Sequence, residues 1–267
     1  MNPALNELIN AIFRWLHVVA GVAWVGHLYF FNFVNGPFAK TMDAATKKAV
    51  VPELMPRALF WFRWGAAWTF ITGIMLFGAV YYMGGFLFEG DAEKNYGLAL
   101  GLSVLALVAI FLYDVIQKQM KGTMVANAIC LILLAAVYVA LRKVGHFSSK
   151  ALYIHVGAIL GTVMAMNVWM RIWPAQKKII AAIKAGTAPD ADVVALAGLR
   201  SRQNTFMSVP LIFFMVSNHF PLMFGDTDPA HRLVGIPMRD VTVVLIILAG
   251  FGLVHLLYKK SASVQGL

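Results

Sequence analysis

The sequence predicts an all-α, polytopic membrane protein, and three observations predict it. The 267 residues are 60% hydrophobic and only 13% charged, against about 25% charged in soluble domains. The apolar residues gather in long stretches, each near the roughly 20 residues that cross a hydrocarbon core as a helix. The Lys and Arg residues behind the net charge of +10 gather mostly in the connections on one side, the pattern of chain segments retained inside a membrane. That distribution favours membrane topology over nucleic-acid binding as the reading of the basic charge. One integral membrane domain over 1–267, with seven transmembrane helices, follows. The single cysteine, Cys130, reads as a small core residue. It excludes an internal disulfide, a cysteine zinc site and the C-x-x-C-H attachment of a covalent haem c. The first residues lack a basic region and a cleavage site, so no removable signal peptide is expected.

Span one, 8–35, carries His17 and His27. Ten positions separate them, about 15 Å along a helix and about 80° around it, so both look to one side at two depths. Ala20, Gly21 and Trp24 lie between them. Ionisable residues within a span point to function by default, here a helix lining a cofactor or proton-linked cavity. Thr41 to Arg57 predicts a short surface helix before span two, 59–83. The loop 84–96 is acidic and glycine-rich. Spans three, 97–117, and four, 122–144, are plain apolar helices. Span five, 149–173, carries His155 and the pair Gly157 and Gly161, a spacing for close helix approach. The connection 174–202 predicts two cytoplasmic amphipathic helices, broken by Gly186 and Pro189 and lying in the membrane interface. Span six, 203–224, contains Pro210, and its end is broken by Ser217, Asn218, His219 and Pro221. Span seven, 240–258, carries His255.

The side reached after spans one, three, five and seven carries fifteen Lys and Arg and the other side seven. This places the N-terminus outside and the C-terminus inside, against the local charge of the loop from Arg142 to Lys150. His17, His155 and His219 then lie in an outer layer, and His27 and His255 in an inner one, while His146 and His231 fall in loops. Two layers of imidazoles predict one or two b haems with histidine ligands, which need no cysteine. His27 pairs with His255, and His17 with His155 or with His219 in its place. Gly21, Ala158 and Gly252 on the ligand faces leave room for a ring. The competing reading is that each histidine hydrogen-bonds to a neighbouring backbone carbonyl. Arg14 lies one turn before His17, Asn167 and Arg171 share a face, and Asn32 and Asn218 are further amides needing partners. No nucleophile triad, phosphate loop or paired carboxylate site is present, and Asp114 is the one acid near a span interior.

The segments "WLHVVAGVAWVGHLYFFNF", "FRWGAAWTFITGIM", "HVGAILGTVMAMNVWMRIWPAQKKII" and "RQNTFMSVPLIFFMVSNHFP" resemble the membrane domain of the bacterial membrane-bound urate oxidases, also called urate hydroxylases. The resemblance covers nearly the whole chain. It falls on His17, His27, Arg63, Trp64, His155, Asn167, Arg171, Asn218 and His219. It implies a place in purine catabolism at the bacterial inner (cytoplasmic) membrane, with a periplasmic N-terminus, and conversion of urate to 5-hydroxyisourate with electrons passed to cytochrome c. The family domain usually has one more span, which allows eight. The family's cytochrome domain has no counterpart before Leu267, so the expected acceptor is a separate cytochrome c or another electron carrier.

Urate is a flat anion, and a pocket for it needs a cation or amide donors and an apolar wall. Arg14, His17, His155, Asn218 and His219 are the candidates, with histidine as the base for water addition. Glu89, Asp91, Glu93, Asp226 and Asp228 are candidates for steering a basic cytochrome. The alternative is a non-catalytic haem-binding or structural subunit of a larger respiratory or photosynthetic electron-transfer complex.

Overall fold

A computed structural model describes residues 3–88, 94–220, 232–233 and 236–264. The five acids proposed to steer a cytochrome, together with Pro221 and His231, lie outside the described residues. The chain is an all-α polytopic bundle. Helix α1 (Pro3–Tyr29) runs without interruption through a π-helical segment, π1 (Phe30–Asn35), into α2 (Gly36–Thr41). Helix α3 (Ala44–Phe77) continues through π2 (Gly78–Met83). Then come α4 (Tyr96–Gln119), α5 (Met124–Lys143) and α6 (Ser149–Met166), which continues through π3 (Asn167–Ile172) into α7 (Trp173–Ala185). Helix α8 (Ala191–Val216) ends in a single 3₁₀ turn, Ser217–His219, and α9 (Met238–Ser263) follows a two-residue antiparallel pairing of Arg232–Leu233 with Ile236–Pro237.

Among the described residues, six helical stretches are long and apolar enough to cross a membrane: Leu5–Thr41, Ala44–Met83, Tyr96–Gln119, Met124–Lys143, Ser149–Ala185 and Met238–Ser263. These correspond to six of the seven expected spans. The other, 203–224, is helical as far as Val216 but belongs to α8, whose middle carries Arg200, Arg202 and the buried Asn204.

Two connections differ from expectation. The surface helix expected from Thr41 to Arg57 is the first part of the 34-residue α3. Asp43 starts it, accepting a hydrogen bond from the Thr46 N–H at 2.7 Å, as N-cap carboxylates do. That bond holds the Asp43 carboxyl below the ordinary carboxylate range. The amphipathic connection 174–202 does break where expected. Gly186 closes α7 in the left-handed conformation at φ 76°, which glycine adopts without a Cβ penalty. Both of its helices, however, are continuous with their neighbouring spans.

The contacts divide the chain into two units, Met1–Met75 with Met164–Val209 and Gly250–Leu267, and Leu76–Val163 with Pro210–Ala249. In the first unit, α1 and α3 meet at Gly65. A Cβ there would lie 3.0 Å from the Trp24 backbone N and 3.2 Å from the Ala20 carbonyl. Trp24, Leu28, Leu59, Phe62 and Ala66 are buried around this approach, and Phe31 meets Phe62 edge-on at 5.3 Å. Helix α9 joins α1 through polar groups: the Tyr258 hydroxyl donates to Asn32 Oδ1 at 2.8 Å, and Asn32 Nδ2 donates to Ser201 Oγ of α8 at 2.8 Å. Buried amides inside a membrane bundle join helices because hydrocarbon offers them no other partner.

In the second unit, Gly157 lets α6 press on α8, where a Cβ would stand 3.1 Å from Phe214 Cβ. Asp240 in the first turn of α9 forms an ion pair with Arg142 of α5 and accepts a hydrogen bond from the Tyr138 hydroxyl at 2.7 Å. A carboxylate in a first turn is also favoured by the helix dipole.

Candidate functional site

Polar side chains in these helices first satisfy themselves locally. Thr69, Thr72, Thr162 and Asn32 each donate to the carbonyl four residues back, a bond available within one helix whatever the neighbours are. His27 and His155 do the same through Nδ1–H, to Ala23 O at 2.7 Å and Ala151 O at 2.6 Å. For these two histidines the carbonyl-bonding alternative is what the structure shows.

The densest constellation lies in the second unit around His155, which is 2% exposed. Because a carbonyl can only accept, Nδ1 carries the proton and Nε2 presents a lone pair. The Ser103 hydroxyl of α4 faces that lone pair at 2.9 Å and donates to it. Ser103 Oγ in turn accepts from the Tyr82 hydroxyl at 2.8 Å. The result is a directed chain from Tyr82 through Ser103 and the imidazole to the Ala151 carbonyl.

Phe77 and Phe147 meet the ring edge-on at 4.5 and 4.6 Å between centroids and help to shield it from solvent. Phe77 also lies 5.8 Å from Tyr81 and 5.9 Å from Tyr82. The Tyr81 hydroxyl accepts a hydrogen bond from Asn218 Nδ2, while Asn218 Oδ1 is shielded and has no hydrogen-bond partner among the described residues. Both tyrosines lie in the π2 segment, Tyr82 reaching α4 and Tyr81 the end of α8, and such π segments recur at functional sites.

The candidates from the sequence are therefore distributed unevenly. His155 and Asn218 belong to one aromatic-lined cluster, and His219, exposed, follows Asn218 in the same 3₁₀ turn. Tyr81, Tyr82, Ser103, Phe77 and Phe147 complete the cluster and were missed by sequence reasoning. The one signal that could have found any of them is the Tyr81–Tyr82 pair closing an apolar span.

Arg14, His17, Gly21, His27 and His255 belong to the first unit. Arg14 is exposed on α1. The Thr72 hydroxyl donates to Trp68 O at 2.6 Å and so accepts from His17 Nδ1–H at 3.1 Å. His17 packs closely on Gly73, where a Cβ would come within 3.0 Å of its ring. Gly21 faces Thr69 at 3.8 Å.

A haem iron would need a ring nitrogen with a free lone pair and a second ligand opposite it. His155 does not fit, since both its nitrogens are hydrogen-bonded. His27 lies one turn before Phe31, on the face of α1 that meets Phe62 of α3. His255 is exposed on α9, and the contacts joining α1 to α9 run through Asn32, Phe33, Tyr258 and Ser261. The expected pair His17–His155 thus does not fit a haem, whereas His27 is bonded through Nδ1 alone among the described residues. No group of three or more His, Cys, Asp or Glu able to hold a metal occurs among the described residues.

Comparison with known proteins adds one finding. The family model "Urate oxidase N-terminal" matches residues 40–249, a stretch that includes His155, Asn218, His219 and the whole Tyr82–Ser103 chain. Arg14, His17, Gly21, His27 and His255 lie outside it. No curated protein and no solved structure matches the chain. With most of its length matched, and with a helical membrane architecture, the chain belongs to the urate oxidase N-terminal family.

Proposed function

We propose that the protein is a membrane oxidoreductase that oxidises urate to 5-hydroxyisourate and passes the electrons to a c-type cytochrome. The observation that carries the reading is that the matched family stretch contains a complete hydrogen-bonded chain ending on a buried imidazole lone pair. Urate and water yield 5-hydroxyisourate, two protons and two electrons. Two oxidised cytochrome c haems take up the electrons, each becoming reduced. A proton leaves as water adds to the purine, and Tyr82, Ser103 and His155 Nε2 provide its route. Each hydroxyl passes its own proton onward and accepts the next, and the imidazolium so formed keeps its Nδ1–H bond to Ala151. Asn218 Oδ1 supplies an acceptor for a purine N–H, and the neighbouring His219 a donor for the anion. The catalytic set is drawn from His155, Asn218 and His219.

The test mixes detergent-purified protein with urate and oxidised cytochrome c. The expected result is loss of urate together with reduction of two haems per urate. Unchanged urate, or equal reduction with and without the protein, would overturn the reading.

The same proposal places the chain in the inner membrane with its N-terminus in the periplasm, on the strength of the charge asymmetry between its connections. Single cysteines introduced at 94 or 95 should then react with an impermeant reagent in whole spheroplasts, in a Cys130→Ser background. Reaction only after lysis would reverse the orientation.

A further inference from the structure

Helix α1 carries a face for which the proposed chemistry has no use. Only 6% of the apolar window in its stretch Leu5–Thr41 is buried, against 72% for Ser149–Ala185, so neighbours cover one side of it. That side holds His17, Gly21 and Trp24, which meet Thr72, Thr69 and Gly65 of α3. The opposite side is regular. Leu5, Leu8, Ile12, Trp15, Val19, Val22 and Gly26 follow one another at alternating steps of three and four residues. All seven are exposed, Leu8 at 57% and Val22 at 69%. This is the a and d spacing of a coiled-coil seam, sustained for three heptads, about 32 Å of helix. Asn6, Glu7, Asn10, Arg14 and His17 all fall outside the seam and its flanks.

Lipid accounts for part of this exposure but not for all of it. The stretch Leu5–Thr41 has 37 residues, about 56 Å at about 1.5 Å per residue, nearly twice the roughly 30 Å of a hydrocarbon core. Between Arg14 and Lys40 there is no Asp, Glu, Lys or Arg, so the core lies between them. Leu5 and Leu8 stand beyond Arg14 on the same unbroken helix, by about 9 to 14 Å. Acyl chains do not reach that level. There Asn6, Glu7 and Asn10 alternate with the apolar seam, the pattern of a helix in water with one covered side.

We propose that this seam pairs with α1 of a second copy of the chain, as a parallel, in-register contact of two helices. Copies inserted in a membrane in one sense carry α1 parallel, so each seam residue meets its own counterpart across a two-fold axis. Such a contact admits no charge in the seam, because a charge would face its own copy, and the seam has none. Ile12 and Val19 fall at a positions and Leu8 at d, the choice that favours two strands, with Trp15 and Val22 at the other d positions. At Gly26 an added Cβ would meet nothing within 4 Å among the described residues, and a small residue there lets a partner helix come close. With the flanking Leu16 and Val18, the seam would bury on the order of 600 Å² per copy and about 1,200 Å² in all, the size at which stable specific interfaces begin.

The test is disulfide trapping of the full chain in native membranes, in a Cys130→Ser background. Leu8→Cys and Ile12→Cys lie on the seam, and Glu7→Cys lies off it at the same level. The two seam variants should form a covalent species of twice the chain's mass, and Glu7→Cys should not. Leu8→Glu added to the Ile12→Cys chain sets two carboxylates against each other and should lower the trapped fraction about 10-fold or more. Glu7, Leu8 and Ile12 are all exposed, so these variants leave the fold of a single copy intact. Equal or absent trapping at Leu8→Cys and Glu7→Cys would overturn the proposal. So would trapping that Leu8→Glu leaves unchanged, or a Leu8→Cys adduct with a different protein, because the seam would then belong to another partner.

Discussion

Protein carrying His155→Ala should oxidise urate about 10²- to 10⁴-fold more slowly than the unaltered chain, the range that a positioned proton-transfer group supplies. The side chain has two duties in the structure, and the experiment has to separate them. Its Nδ1–H closes a bond within its own helix, and its Nε2 receives the Ser103 hydroxyl. Removing the ring leaves Ser103 without its acceptor and opens a space between Phe77 and Phe147, so some loss of stability is expected as well. Tyr82→Phe separates the duties. It deletes one hydroxyl at the far end of the chain and leaves His155, Ser103 and both phenylalanines in place. Its melting temperature should stay near that of the unaltered protein while turnover falls and the acid limb of the pH–rate profile changes shape. A Tyr82→Phe protein with unaltered rate and unaltered pH profile would show that the chain is architectural.

Gly65→Leu should be the most destabilising substitution in the first unit, by about 3 kcal/mol or more, at and beyond the upper end of ordinary overpacking. The reason is what the new Cβ would meet: Trp24 N at 3.0 Å, Ala20 O at 3.2 Å and Trp24 Cα at 3.2 Å, all of them backbone. A side-chain tip can rotate away, but the backbone of α1 yields only if the whole helix leaves α3. That separation would expose the buried ring of Trp24 and break the Phe31–Phe62 contact. Gly252→Leu is the control in the same unit, because a Cβ there meets nothing within 4 Å. Replacing an exposed helical glycine even gains about 1 kcal/mol of helix propensity. Thermal unfolding in detergent should separate the two variants clearly, and equal melting temperatures would disprove the close approach.

The helices themselves were legible because hydropathy is a local property. A run of apolar residues of bilayer length has to satisfy its own backbone, and only a helix does so within one segment. The break at Gly186 was legible for the same reason, since a left-handed residue is a matter of one dihedral angle. The bonds from His27 to Ala23 and from His155 to Ala151 were legible as alternatives, because they need nothing but the same helix.

What each histidine does beyond that was decided by packing between distant segments. His155 meets a serine 52 positions away, and Asn218 meets a tyrosine 137 positions away. No periodicity in either segment encodes such a pairing. The π segments belong to the same class, for nothing in the local pattern marks the widened turn between Gly78 and Met83. So does the fusion of the expected surface helix with span two. Charge marks where a chain leaves the apolar core, but a helix ends only where its backbone bonds find other partners, and between Ala44 and Phe77 they find none.

The amino-acid sequence by itself thus determined a polytopic helical membrane chain and the neighbourhood of its candidate site. The tertiary structure alone decided which group meets the remaining nitrogen of His155, because a lone pair is committed by the side chain that comes to face it.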